Sequence, residues 1–182
     1  MTALHVMIVL AAGAQAARAG DWTGPVEVLH DFKPSVAYRA KLEGEFLVVQ
    51  AAHQPGWHTN AMDNKVRADE KLAGRESLGV DVPTEIILSQ GLQAAGPWYQ
   101  SPPKDFSRPE LQWFTWGFDG QALFVVRVRR SGPGPAQLAV RGQACTETIC
   151  KKIELAISLP LTGATAGARS SGVDLKTLVR VR

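Results

Sequence analysis

Cysteine is scarce in this sequence, with two among 182 residues, Cys145 and Cys150. That excludes a disulfide-dense secreted scaffold. A lone Cys-x4-Cys pair is also weak support for zinc, and His30, His53 and His58 do not complete a metal-ligand spacing with it. No Gly-x-Ser-x-Gly elbow, phosphate loop or dinucleotide fingerprint is present. No metal and no organic cofactor is therefore expected. Clustered charge is lacking too. The net charge is +3, and the basic residues are dispersed apart from Arg127-Arg129-Arg130 and Lys151-Lys152. Nucleic-acid binding calls for a concentrated basic stripe, so no nucleic-acid partner is expected. No apolar run reaches the roughly 20 residues that span a bilayer.

The longest such run, Val6 to Ala17, ends in Ala17-Arg18-Ala19, a small-x-small pattern. It reads as a signal peptide cleaved after Ala19, which makes 1–19 a targeting segment and the mature chain an exported protein with no membrane span. No cysteine follows the run, so no lipid anchor is expected.

What the sequence does have is short apolar stretches of strand length. Val26 and Val28 open the first. Phe46-Leu47-Val48-Val49 and Ile86-Ile87-Leu88 follow. Leu123 to Val128 places Leu123, Val125 and Arg127 on one face and Phe124, Val126 and Val128 on the other. Leu138 and Val140 form a shorter strand. Ile153, Leu155, Ile157 and Leu159 keep a two-residue period up to Pro160. Strands separated by Gly, Pro, Asn and Asp, without alternating helices, predict an all-β antiparallel sandwich.

Two stretches break the pattern. Thr59 to Val82 is a long polar insertion in which Asn64 to Leu78 could form a helix with Val66, Leu72 and Leu78 inward. Trp98 to Phe118 is rich in aromatics and proline. So aromatic a segment must cover something, either the end of the sandwich or a site. After Leu161, residues 162–182 read as a flexible linker and a short tail.

Geometry restricts how the cysteines can meet. A disulfide needs Cα atoms about 4.4–6.8 Å apart. Five steps along a strand span roughly 16 Å. Five steps along a helix rise about 7.5 Å before any lateral offset. A reversing turn solves the problem: with Leu138 to Ala144 and Lys151 to Leu159 as antiparallel neighbours, Cys145 faces Cys150 across the connection. Closing so short a loop stabilises by about 2 kcal/mol, against about 4–5 for a loop near 100 residues. The bridge is thus a weak staple. Lys151, Lys152 and Arg141 favour a thiolate nearby, and Glu147 opposes it.

An ordered series of short motifs resembles a known family. It runs Gly56-Trp57-His58-Thr59-Asn60, then Val82-Pro83-Thr84, then Gly117-Phe118-Asp119-Gly120 before Leu123-Phe124-Val125-Val126. Gln143-Ala144-Cys145 to Cys150 and Leu159-Pro160-Leu161 close it. From roughly Trp22 to Leu161 the chain resembles the N-terminal periplasmic domain of the thiol:disulfide interchange protein DsbD. The resemblance implies an immunoglobulin-like sandwich over 20–161 and a periplasmic location. It also implies a Cys145–Cys150 pair that cycles between disulfide and dithiol, with thioredoxin-like periplasmic proteins as electron donor and acceptor. Cys150 would form the mixed disulfide and Cys145 would resolve it. A cap would shield the pair, with Phe106 as the shielding ring and Trp98, Tyr99 and Trp113 beside it. The chain departs from the family in having Gly142 where relatives carry an aromatic, and Lys151-Lys152 where they carry proline. The competing expectation is a non-catalytic immunoglobulin-like interaction module with a structural disulfide.

Overall fold

The computed structural model describes residues 20–76, 82–161 and 172–182. The expected targeting segment 1–19, the first ten residues of the expected linker and tail at 162–182, and Leu78 lie outside the described residues. In chain order the elements are β1 (Val26–His30), β2 (Lys33–Glu43), β3 (Phe46–His53), β4 (His58–Asn60), α1 (Asn64–Leu72), β5 (Glu85–Gln90) and β6 (Leu92–Gln100). Then come β7 (Lys104–Asp105), β8 (Trp116–Phe118), β9 (Gln121–Arg130), β10 (Ala136–Cys145), β11 (Cys150–Leu159) and β12 (Val179–Arg180).

They build the expected immunoglobulin-like sandwich. One sheet runs β1-β2-β3-β9-β6-β12, and the other runs β11-β10-β4-β8-β7 with β5 also paired to β10. All pairings between these strands are antiparallel. Alternation along each strand feeds the layer between the sheets. Val36, Tyr38, Leu47, Val49, Phe124 and Val126 enter from the first sheet, and Leu138, Val140, Ile153 and Ile157 from the second. Phe118 and Phe124 meet edge to face at 5.4 Å within it.

The first sheet has an outer apolar face as well. Phe46, Val48 and Val125 are buried there, with Leu123 beside them. This is the second face read from Leu123 to Val128. Its cover comes from beyond Leu161. Val173, Leu175 and Leu178 pack on this face with Trp22 and Tyr99. β12 then adds to the β6 edge through Val179–Gln100 and Arg180–Tyr99. The Val181 amide donates to the Trp98 carbonyl at 2.9 Å, and Arg182 reaches Glu70 on α1 at 2.5 Å. Three apolar residues spread over six positions were enough to dock a segment too short to be a domain.

The polar insertion is anchored rather than solvated. Its helix is shorter than expected and ends at Ala73, which has φ 50°. Val66 is 42% exposed, contrary to its expected inward position; Asn64 and Leu72 are the buried residues. Polar bonds explain the choice of face. Asn64 Oδ1 accepts from the Trp116 amide at 2.7 Å. Asp63 Oδ1 accepts from Gln100 Nε2 at 2.6 Å and Arg67 Nε at 2.8 Å. Burial opposes the charge on Asp63, but these two donors outweigh it and hold the carboxyl below its ordinary value. Thr84 Oγ1 donates to the Asn60 carbonyl at 2.6 Å, tying the start of β5 to β4.

Candidate functional site

β10 and β11 pair without interruption from Ala136–Leu159 to Cys145–Cys150. Beyond the cysteines, the Thr146 amide donates to the Ile149 carbonyl at 2.8 Å. Cys145 and Cys150 therefore form a non-hydrogen-bonded pair, the kind in which opposing side chains come closest. Their sulfurs are bonded, with Cα atoms 4.0 Å apart. The turn has its own support, because Thr146 Oγ1 accepts from the amides of Thr148 and Ile149 at 3.3 and 3.2 Å.

The other edge of β10 is shared. β5 pairs with Gln137 to Arg141, and β4 takes over through Ala144–Thr59 and Cys145–His58. The handover falls at Gly142, which has φ +147°. A Cβ there would lie 3.2 Å from the Pro83 carbonyl oxygen and 3.3 Å from Thr84 Cα. This crowding gives a physical reason for glycine at this position.

The two cysteines differ in access. Ala144 points into the inter-sheet core, so Cys145, one residue on, points outward. It is nevertheless only 3% exposed, whereas Cys150 is exposed. On this outer side the segment between β7 and β8 reaches His58, the β4 neighbour of Cys145. β7 pairs with β8 through Lys104–Gly117 and Asp105–Trp116, and the Phe106 amide donates to the Thr115 carbonyl at 2.9 Å. The Phe106 ring then stacks on His58, with centroids 4.8 Å apart and planes at 17°. Arg108 and Trp113 bridge the loop beyond, and the Arg108 guanidinium lies 5.9 Å from the Trp113 ring centre. A cleft of about 230 Å³ opens here, lined by Trp57, His58, Phe106, Trp113, Asp119 and Glu147 among others. Gly117 lets β8 dock, since a Cβ at that position would lie 2.1 Å from the Thr59 carbonyl oxygen.

Of the residues expected at the site, Phe106 and Trp113 line the cleft beside the cysteine turn. Trp98 and Tyr99 do not. Both belong to β6 in the other sheet, where Trp98 packs against the inter-sheet core and Tyr99 against the outer cluster. The covering segment is thus narrower than the aromatic run. Trp57 and His58 were missed as site residues, although both lie in a motif that carried the family resemblance.

Beneath the cleft, His53 Nδ1 bonds the Gly120 carbonyl at 2.9 Å and Nε2 bonds Thr59 Oγ1 at 2.9 Å. A carbonyl only accepts, so Nδ1 carries the proton and Nε2 accepts from the threonine. Burial holds this imidazole below the ordinary histidine pKa. Lys104 pairs with Asp119 at the rim. Among the described residues no group of three His, Cys, Asp or Glu side chains could hold a metal ion. Nor is any helix among them long and apolar enough to cross a membrane.

No family model matches the sequence, and no curated protein matches it. Solved structures do resemble it. The N-terminal periplasmic domain of ScsB from Proteus mirabilis superposes with a TM-score of 0.56 at 16% identity, over 77% of this chain and 51% of that one. The chain therefore spans about half the length of the ScsB chain it matches. The reduced DsbD N-terminal domain of Neisseria meningitidis gives a TM-score of 0.47 at 9% identity, over 81% of this chain and 91% of that one. A chain from the complex between the DsbD and PilB N-terminal domains of the same organism gives 0.42 at 11% identity, over 79% and 96%. These two scores are too low to establish a shared fold. The ScsB match is not, and the chain has the immunoglobulin-like fold of the ScsB N-terminal periplasmic domain.

Proposed function

We propose that this protein is a periplasmic thiol–disulfide interchange protein that passes electrons through Cys145 and Cys150 between thioredoxin-like partners. Residues 1–19 direct its export. The observation that carries this reading is the unequal exposure of the two sulfurs' residues at one hairpin end, beside an aromatic cover. An attacking thiolate can reach Cys150 but not Cys145. The turn between them is already held by the Thr146 hydrogen bonds, so a structural role for the bridge has little to add there.

The exchange balances without a metal or organic cofactor. A donor thiolate bonds to Cys150 Sγ, the Cys145–Cys150 bond breaks, and its electron pair leaves on Cys145, which is protonated. The donor's second thiolate then attacks its own sulfur in the mixed disulfide. Cys150 is released and protonated, and the donor departs as a disulfide. Two electrons and two protons have moved. In the onward step Cys150 thiolate attacks an oxidised acceptor and Cys145 resolves the mixed disulfide. Phe106 shields the Cys145 side of the bridge between encounters.

The test is the redox midpoint of the pair, poised against graded glutathione and dithiothreitol and read by thiol trapping. A midpoint above about −300 mV with the fold intact supports exchange. A lower midpoint, or unfolding on reduction, would make the bridge a structural staple.

A further inference from the structure

The second sheet sets chemistry-bearing residues in one row. Cys150 on β11 stands opposite Cys145 on β10, and Cys145 stands opposite His58 on β4. Directly opposite residues of antiparallel strands project from the same face, with Cβ atoms about 4.5–5.5 Å apart. The β4–β8 register pairs Thr59 with Phe118. Asp119, the residue after β8, lines the cleft with His58. The row thus reads Cys150, Cys145, His58, with Asp119 across the cleft. The imidazole flanks Cys145 on the side away from Cys150, and Phe106 lies flat against it.

This order bears on the exchange reading, on which the inference rests. Attack at Cys150 expels the sulfur of Cys145, which is 3% exposed. A thiolate formed there has little water to solvate it, and a buried charge without a partner is costly. We propose that His58 is the acid and base that serves Cys145. In reduction, the partner's sulfur bonds Cys150, the disulfide breaks, and the pair arriving on Cys145 takes a proton from the His58 imidazolium. In the resolving direction, neutral His58 removes the Cys145 proton. The resulting thiolate attacks Cys150, and the partner sulfur leaves with the electron pair.

Charged groups of both signs surround the ring. Asp119, Glu147 and Arg108 line the cleft with His58, and Lys104 is tied to Asp119. His53 lies behind, on β3, held neutral by burial. Stacking by Phe106 fixes the ring plane and keeps water off one face.

The test isolates Cys145 with Cys150→Ala and titrates its thiolate by ultraviolet absorbance, alone and combined with His58→Phe or His58→Gln. His58→Phe keeps a ring to stack on Phe106 and removes the titrating nitrogen. The thiolate fraction at neutral pH is expected to fall about tenfold when His58 is lost. In the two-cysteine protein, His58→Phe should slow reduction by dithiothreitol about 100-fold at neutral pH. It should also flatten the dependence of that rate on pH relative to the wild type. His58→Gln should show the same losses, and it decides the matter if the phenylalanine variant fails to fold. Unchanged titration and rate in a folded variant would overturn the role of His58 while leaving the exchange reading standing. A wild-type protein that cannot be reduced without unfolding would overturn both.

Discussion

Reduction of the Cys145–Cys150 bridge is expected to cost this protein about 2 kcal/mol and to leave it folded. The bridged residues are five apart in sequence, so the closed loop holds six. The chain-entropy relation gives about 2 kcal/mol for a loop of that size. Domains of this size are typically stable by about 5–15 kcal/mol, so the loss is affordable. Three features keep it from growing. The β10–β11 ladder continues to Ala136–Leu159, the turn keeps its Thr146 bonds, and a thiol at buried Cys145 behaves as a small apolar group. Urea denaturation of the oxidised and reduced protein, followed by tryptophan fluorescence, measures the difference. With a slope of about 2 kcal/mol per molar urea, the midpoint should move by about 1 M with the slope unchanged. A loss above about 4 kcal/mol, or collapse of the cooperative transition on reduction, would refute the reasoning, because the bridge would then be holding more than its own turn.

Three further outcomes are expected. Phe106→Ala removes the ring stacked on His58, and reduction by small thiols should accelerate while stability falls by about 1–2 kcal/mol, since the ring is only half-buried. Gly117→Ala sets a Cβ against the Thr59 carbonyl oxygen and should cost about 1–3 kcal/mol or more, with faster thiol trapping as β8 and the cover lift from β4. His53 has its folded-state pKa lowered, so below about 6.5 the unfolded chain takes up a proton that the folded protein refuses. Stability should therefore fall as pH drops through that value, by up to about 1.4 kcal/mol per pH unit, until the folded-state pKa is reached; His53→Gln should remove that part of the slope in urea titrations at several pH values.

Period-two alternation made the sandwich legible, most cleanly in β11, where Ile153, Ile157 and Leu159 are buried between exposed or half-buried neighbours. The meeting of Cys145 and Cys150 was legible for a stricter reason, since five covalent steps leave a turn as the economical solution. Trp98 and Tyr99 were misplaced because aromatic density reports that a residue is covered, not which sheet covers it. β6 draws them to the first sheet by backbone pairing that a composition cannot reveal. Val66 was misread because the insertion is held by hydrogen bonds. Asn64, Asp63 and Gln100 carry the anchoring, and hydrophobic periodicity is blind to polar residues that are buried because they are paired. His58 was visible as a letter in a motif. Its place beside Cys145 depends on the β4–β10 register, a contact between segments 87 positions apart that only the folded sheet discloses.

The docking of Val173 to Arg182 also sets an order of events in synthesis. Chains emerge from the N-terminus, and domains fold as their parts become available. Here the outer apolar face of Phe46, Val48 and Val125 forms early but waits for Val173, Leu175 and Leu178 before it is covered. The edge of β6 likewise waits for β12. Until residue 180 has left the ribosome, the nascent chain shows an uncovered apolar surface and an open strand, the two features that holding chaperones recognise. Completion of the first sheet thus depends on the last of its strands in chain order, and the sheet stays unfinished until that strand is available.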